Sequence, residues 1–117
     1  MATHAWGISK NLHVDDMTRV DLIRGRAGGR SSNHIHEYLD NSLLVVNGEV
    51  VIYSGDLGDE SEKIRLSDGE SYTTKSNCPH RIEFLEDSIA VEIYRSDHSL
   101  GRTAMLSDII RFDEGTM

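Results

Sequence analysis

GGRSSNHIHEYLDNSLLVVNG, residues 28–48, holds two histidines one residue apart between flanking glycines. Its spacing is G-x5-H-x-H-x4-N-x6-G, from Gly28 through His34, His36 and Asn41 to Gly48. Side chains two apart on a strand share a face and lie about 7 Å apart along it. His34 and His36 therefore project into one space, with Ile35 on the opposite face. Asn41 leads into the next strand and shares its parity with Leu43 and Val45. The run SLLVVNGEVVIY, residues 42–53, is apolar and β-branched around Asn47-Gly48. Asn-Gly is the preferred pair for a two-residue type I′ turn, so a β-hairpin is predicted there.

Strand signals continue outward on both sides. RVDLIR at 19–24 alternates polar and apolar residues, and RAGGR then breaks the pattern. SGDLGDESEK at 54–63 is an acidic, glycine-containing loop without the ligand spacing of an EF-hand. KIRL leads to a turn at Asp68-Gly69 and a short strand, ESYTT. Residues 69–84, GESYTTKSNCPHRIEF, have the spacing G-x5-K-x-N-x2-H-x3-F. His80 heads a strand with Ile82 and Phe84 on its side. SIAVEIY at 88–94 forms another strand, and only the segment after Arg102 suits a short helical turn. Eight or nine short strands separated by turn residues imply an all-β barrel or sandwich. A barrel brings His34, His36 and His80 together above an apolar floor. Imidazole suits Fe, Ni, Cu and Zn, and three such ligands leave positions open for water or substrate.

The composition bounds the remaining possibilities. A chain of 117 residues suits one domain spanning 1–117. Net charge is −8, from 12 basic and 20 acidic side chains. That excludes nucleic acid and anionic membrane as main partners, because both require concentrated Lys and Arg. The only basic concentration is Arg19, Arg24, Arg26 and Arg30. These are read chiefly as solvated strand and turn positions, and alternatively as a seat for an anionic substrate group. No apolar run approaches the roughly 20 residues of a membrane-spanning helix, and no secretory signal is visible. A cytoplasmic location is expected, and the lone Cys78 fits a reducing compartment.

The two motifs resemble those of the cupin superfamily: motif 1 at 28–48 and motif 2 at 69–84. The resemblance implies a single-domain cupin-type β-barrel (a double-stranded β-helix, or RmlC-like jelly roll). It also implies a divalent transition metal, Fe, Ni, Zn, Cu or Mn, held by His34, His36, His80 and the Asn41 position. Asn41 stands where the family usually has Glu. It either coordinates through its amide oxygen or hydrogen-bonds a metal-bound water or substrate. Losing that charge disfavours Mn. Lys75 and Asn77 replace the usual Pro and Gly of motif 2, and Asn tolerates the left-handed conformation such a turn requires. Phe84 replaces the usual Asn and suits core packing.

Trp6-Gly7, VEIYRSDHSLGR and DIIRFDEG resemble the sugar-phosphate branch, typified by the type II mannose-6-phosphate isomerase domain. That branch implies a metal polarising an open-chain sugar while a base moves a proton between adjacent carbons. No base is placed by spacing. Three functions therefore stand: a metal-binding cupin acting on or binding a sugar or sugar phosphate, a three-His iron dioxygenase, and a non-enzymatic ligand-binding module. Glu37 is expected to point away from the metal, Asp40 to sit in a turn, and Tyr38, Tyr53 and Tyr72 to be partly buried in the wall. Cys78 is read as a small filler near the rim. The run Leu43-Leu44-Val45-Val46 is apolar on both faces, which suits a homodimer. The expected partner otherwise is a small-molecule ligand.

Overall fold

The computed structural model describes residues 1–55 and 59–117, so residues 56–58 of the acidic loop lie outside the described residues. The strands are β1 (Ala2–His4), β2 (Gly7–Val14), β3 (Thr18–Gly25), β4 (His34–Ile35), β5 (Asp40–Asn47) and β6 (Glu49–Tyr53). They continue as β7 (Lys63–Ser67), β8 (Ser71–Thr74), β9 (Arg81–Phe84), β10 (Ser88–Arg95) and β11 (Ile110–Arg111), with one helix, α1 (Arg102–Ser107), before β11. One sheet has the order β1-β2-β3-β10-β5-β8, a second β7-β6-β9, and β4 pairs with β11. Every pairing is antiparallel. The sequence implies eight or nine strands, and there are eleven among the described residues. The difference lies in short or polar strands such as β1, β4 and β11, which alternation does not mark. No helix among the described residues is long and apolar enough to cross a membrane.

The core fills the space between the two larger sheets. Ile23, Leu43, Val45 and Ala90 enter it from one side, and Val50, Ile52, Ile82 and Phe84 from the other. Fully burying an aliphatic or aromatic side chain of this size contributes roughly 1.5–3 kcal/mol. Phe84, which replaces the usual Asn of motif 2, is buried in the core as expected and stacks on Trp6 at 5.3 Å between ring centroids. A smaller cluster of Leu39, Tyr94 and Met105 packs α1 against the end of the barrel.

The hairpin expected at Asn47-Gly48 does not form. β5 pairs with β10 and β8, whereas β6 pairs with β7 and β9, so the chain changes sheets at this point. Gly48 alone makes the corner, at φ 119°, and Asn47 does not take a positive φ. A Cβ at Gly48 would lie 2.8 Å from Ser88 Cα, so the corner also needs the missing side chain. The physical reason is burial on both flanks. Leu43 and Val45 face Val50 and Ile52 across the core, which a flat hairpin would place side by side on one sheet.

Candidate metal centre

His34 and His80 form an antiparallel bridge, each N–H donating to the other's carbonyl at 3.0 Å. Residues paired in this way present their side chains to the same face. His36 follows two residues after His34, and all three imidazoles are buried. Their ring centroids lie 4.3 Å (His34–His80), 4.9 Å (His34–His36) and 5.3 Å (His36–His80) apart. One nitrogen from each lies within 4.8 Å of the others. Three nitrogens each at 2.0–2.1 Å from one ion stand roughly 3–3.6 Å apart, so the rings would draw in by about an ångström to share a metal.

The hydrogen bonds decide which nitrogens face inward. Nδ1–H of His34 donates to the Ser32 carbonyl (2.8 Å), that of His36 to the Asp108 carbonyl (2.7 Å), and that of His80 to the Cys78 carbonyl (3.1 Å). A carbonyl only accepts, so each ring keeps its lone pair on Nε2. Nε2 of His36 and Nε2 of His80 are buried without a hydrogen-bond partner. Orphaned buried acceptors of this kind cost free energy unless something fills the space between them. The rings are also held neutral. Burial, reinforced by His80 and His36, pushes His34 down to about 2, and burial pushes His80 down to about 4. Burial likewise lowers His36. Three neutral imidazoles with inward lone pairs fit a divalent transition metal.

The turn before His80 is set by Asn77, the one described non-glycine residue with a positive φ, at 61°. Its N–H donates to the His36 carbonyl (2.7 Å) and its Nδ2 to the Glu37 carbonyl (3.1 Å), locking the motif 2 loop onto motif 1. The tolerance expected of Asn at this position holds. Asn77→Val should lose about 1–2 kcal/mol of stability, because a β-branched residue resists this conformation, whereas Asn77→Gly keeps the backbone. Urea unfolding of the two variants beside the parent chain checks the difference, and equal midpoints would refute it.

Asn41 is buried on the same inward face. Its Nδ2 donates to Glu92 Oε2 at 3.2 Å, which leaves its Oδ1 with no protein donor among the described residues. Glu92 and Tyr94 were not found by the sequence reading. Both lie on the inner face of β10, and Tyr94 OH donates to Glu92 Oε2 at 2.7 Å. Burial raises the Glu92 carboxyl, and burial together with the Glu92 charge raises Tyr94 well above its usual value. Arg19 sits over the Tyr94 ring at 4.8 Å and pairs with Asp21 at 2.7 Å. The signal for Glu92 was present in SIAVEIY. Alternation there places Ile89, Val91 and Ile93 together, and in the fold these face outward, half-buried, while Ala90, Glu92 and Tyr94 face in.

A cavity of about 280 Å3 joins these groups, with His34, His36, Glu92, Tyr94, Arg19 and Asp21 among its lining residues. His80 adjoins this lining through His34, with 4.3 Å between their ring centroids. Such a volume sits at the low end of small-molecule sites. The first-third arginines do not gather there. Only Arg19 lines the cavity, Arg30 pairs with Glu60 at 2.7 Å, and Arg24 and Arg26 are exposed. His4, which fits no sequence pattern, reaches the cavity because β1 folds back on β2, and it stacks on Trp6 at 4.5 Å. Glu37 is exposed as expected, while Asp40 opens β5 instead of sitting in a turn. Tyr53 and Tyr72 are half-buried as expected. Tyr38 is exposed, and so is Cys78, which fills no core space.

Residues 22–94 match the family model described as a cupin domain. The chain is a cupin. Solved structures with this fold include KdgF from Halomonas sp., 22% identical over 81% of this chain and 90% of that one, with a TM-score of 0.67. A cupin superfamily protein from Desulfitobacterium hafniense DCB-2 is 22% identical over 83% and 84% of the two chains, with a TM-score of 0.68. A protein with a double-stranded β-helix domain from Klebsiella pneumoniae is 16% identical over 87% and 84%, with a TM-score of 0.71. At these identities the likeness shows the fold alone. No curated protein sequence matches the chain. The cupin barrel accounts for the convergence of His34, His36 and His80 from two separate motifs.

Proposed function

We propose that this cupin is a metal-dependent acid–base enzyme acting on a small hydroxylated carbonyl compound of the sugar or sugar-phosphate class, with isomerase- or epimerase-like chemistry. The observation that carries this reading is Glu92. It supplies the carboxyl for which the motif spacing gave no position, and it lines the same cavity as His34 and His36. His34, His36 and His80 hold the metal through Nε2, and the Asn41 Oδ1 is the fourth candidate donor. The ion, when bound, polarises the carbonyl and hydroxyl oxygens of the ligand. Glu92 takes a proton from the carbon bearing the hydroxyl and returns it to the former carbonyl carbon, while the hydroxyl proton passes to the former carbonyl oxygen. A carboxyl whose pKa is raised by burial suits both directions of that transfer. Tyr94 and Asn41 donate to one oxygen of Glu92 and fix its orientation. Arg19, paired with Asp21, holds the Tyr94 ring from its face.

The test has two parts. Metal analysis of protein purified without added metal should give close to one equivalent, falling below about a tenth in His36→Ala and His80→Ala, since each removes one of three imidazole ligands. Incubation of the loaded protein with aldoses, ketoses and their phosphates in D2O should then place deuterium on the carbon beside the carbonyl, read by proton NMR. Oxygen consumption without deuterium uptake would instead select the iron dioxygenase reading, which the absence of a carboxylate from the His34–His36–His80 group favours. Metal retention with neither activity would leave a ligand-binding module.

The same reading includes the sugar-phosphate branch and a homodimer. The outer face of β3, β10 and β5 supports the latter, with Leu22, Leu44 and Val91 half-buried and Val46 51% exposed. A strict monomer by light scattering would remove the dimer and leave the metal site untouched.

A further inference from the structure

From the placement of Arg111 we infer that the ligand of this cavity carries an anionic group, a carboxylate or a phosphate, which the Arg111 guanidinium binds at the entrance. This rests on the cavity being the ligand site proposed above. Arg111 lies on β11 in register with His34. Paired residues of an antiparallel ladder point to the same face, so Arg111 extends on the side of the sheet where the His34 ring lies. It lines the cavity and is exposed.

The other arginine lining the cavity, Arg19, is already committed, as are three arginines elsewhere. Arg19 pairs with Asp21, Arg30 with Glu60, Arg65 with Glu49 and Arg81 with Asp113. Arg111 takes part in none of the ion pairs among the described residues. Glu114 also lines the cavity but does not pair with it. In a chain of net charge −8, an anion gains nothing from the overall field. A guanidinium without an internal carboxylate, aimed over a cavity, is the local feature that reverses this. Its planar fork matches either a carboxylate or a phosphate with two parallel hydrogen bonds. Arg111 is the exposed member of this lining, whereas His36, Tyr94 and Glu92 in the same lining are buried.

Calorimetric titration of the full chain with D-glucose, D-glucuronate and D-glucose 6-phosphate, at constant ionic strength, tests the seat. The parent chain should bind at least one of the two anions roughly tenfold or more tighter than glucose, the scale of one charge-assisted pair. Which anion it prefers identifies the carboxylate or the phosphate as the group recognised. Arg111→Gln should bring that ratio to about one. Arg24→Gln, an exposed arginine away from the cavity with the same charge change, should leave it intact. The inference is overturned if neither anion outbinds glucose, if the preference survives Arg111→Gln, or if Arg24→Gln abolishes it equally. The titration needs no turnover. Failure of deuterium uptake with the preference intact therefore rejects the enzyme alone, and loss of the preference with uptake intact rejects the seat alone.

Discussion

Glu92→Gln should lower the rate of solvent deuterium uptake by roughly 10²–10⁴-fold, the range associated with losing a positioned general acid–base group. The substitution changes little else. Glutamine has nearly the shape of glutamate, and its amide oxygen can still accept from Tyr94 OH and Asn41 Nδ2, which both meet one oxygen of Glu92. It also removes a buried ionisable group whose desolvation disfavours the charged form. The variant should therefore melt at the same temperature or higher and retain its metal. A falling rate with rising stability separates a proton-transfer role from a structural one. The pH–rate profile gives a second readout, because the limb governed by the raised Glu92 carboxyl disappears in the variant. A loss of less than tenfold, or a loss matched by metal release, would remove Glu92 from the chemistry.

Acidifying metal-free protein from pH 7.5 to 5 should cost about 4 kcal/mol of stability through His34 and His80. The sign follows from proton uptake. In the unfolded chain both imidazoles titrate near 6.5, whereas in the fold they are held at about 2 and about 4. Between pH 6.5 and 4 the unfolded state therefore binds more protons than the folded one, and stability falls as pH falls. At pH 5 each ring contributes about 2 kcal/mol of loss, by 1.36 kcal/mol per unit of pKa difference traversed. A sum near 4 kcal/mol is a large part of the roughly 5–15 kcal/mol that holds a domain together. Glu92 acts in the opposite direction. Its raised carboxyl stabilises the fold below its unfolded value and loses that contribution as pH rises through the folded one. Urea midpoints at the two pH values, with chelator present and in the Glu92→Gln background, isolate the histidines. Midpoints that do not move with pH would show that these rings are not held neutral.

The residues that were legible are those whose position follows from strand parity. His34 and His36 share a face because they are two apart, and His80, Ile82 and Phe84 align with one another for the same reason. Asn77 was legible through its tolerance of positive φ. Gly48 was misread because Asn-Gly chemistry is local, while the choice of sheet is made by distant partners: β10 and β8 on one side, β7 and β9 on the other. Glu92 was missed because β10 is inverted, with its branched apolar residues outward and its acid inward. Periodicity reports two faces without saying which of them is the core. Arg111 and His4 belong to strands of two or three residues, too short for any period to register.

His36 is steadied by a carbonyl 72 positions further along the chain, and the same Asp108 accepts from the N–H groups of Glu37 and Tyr38 through its carboxylate. Asp113 and Thr116 tie down Asn33 and Arg30 in the same way. Synthesis runs from the N-terminus at about 5–20 residues per second, so all three imidazoles are made before the groups that steady His36 exist. The group that accepts from His36 Nδ1 is thus made after all three ligands. Any metal site built from these three imidazoles is therefore complete only once Asp108 is in place, however early its ligands are made.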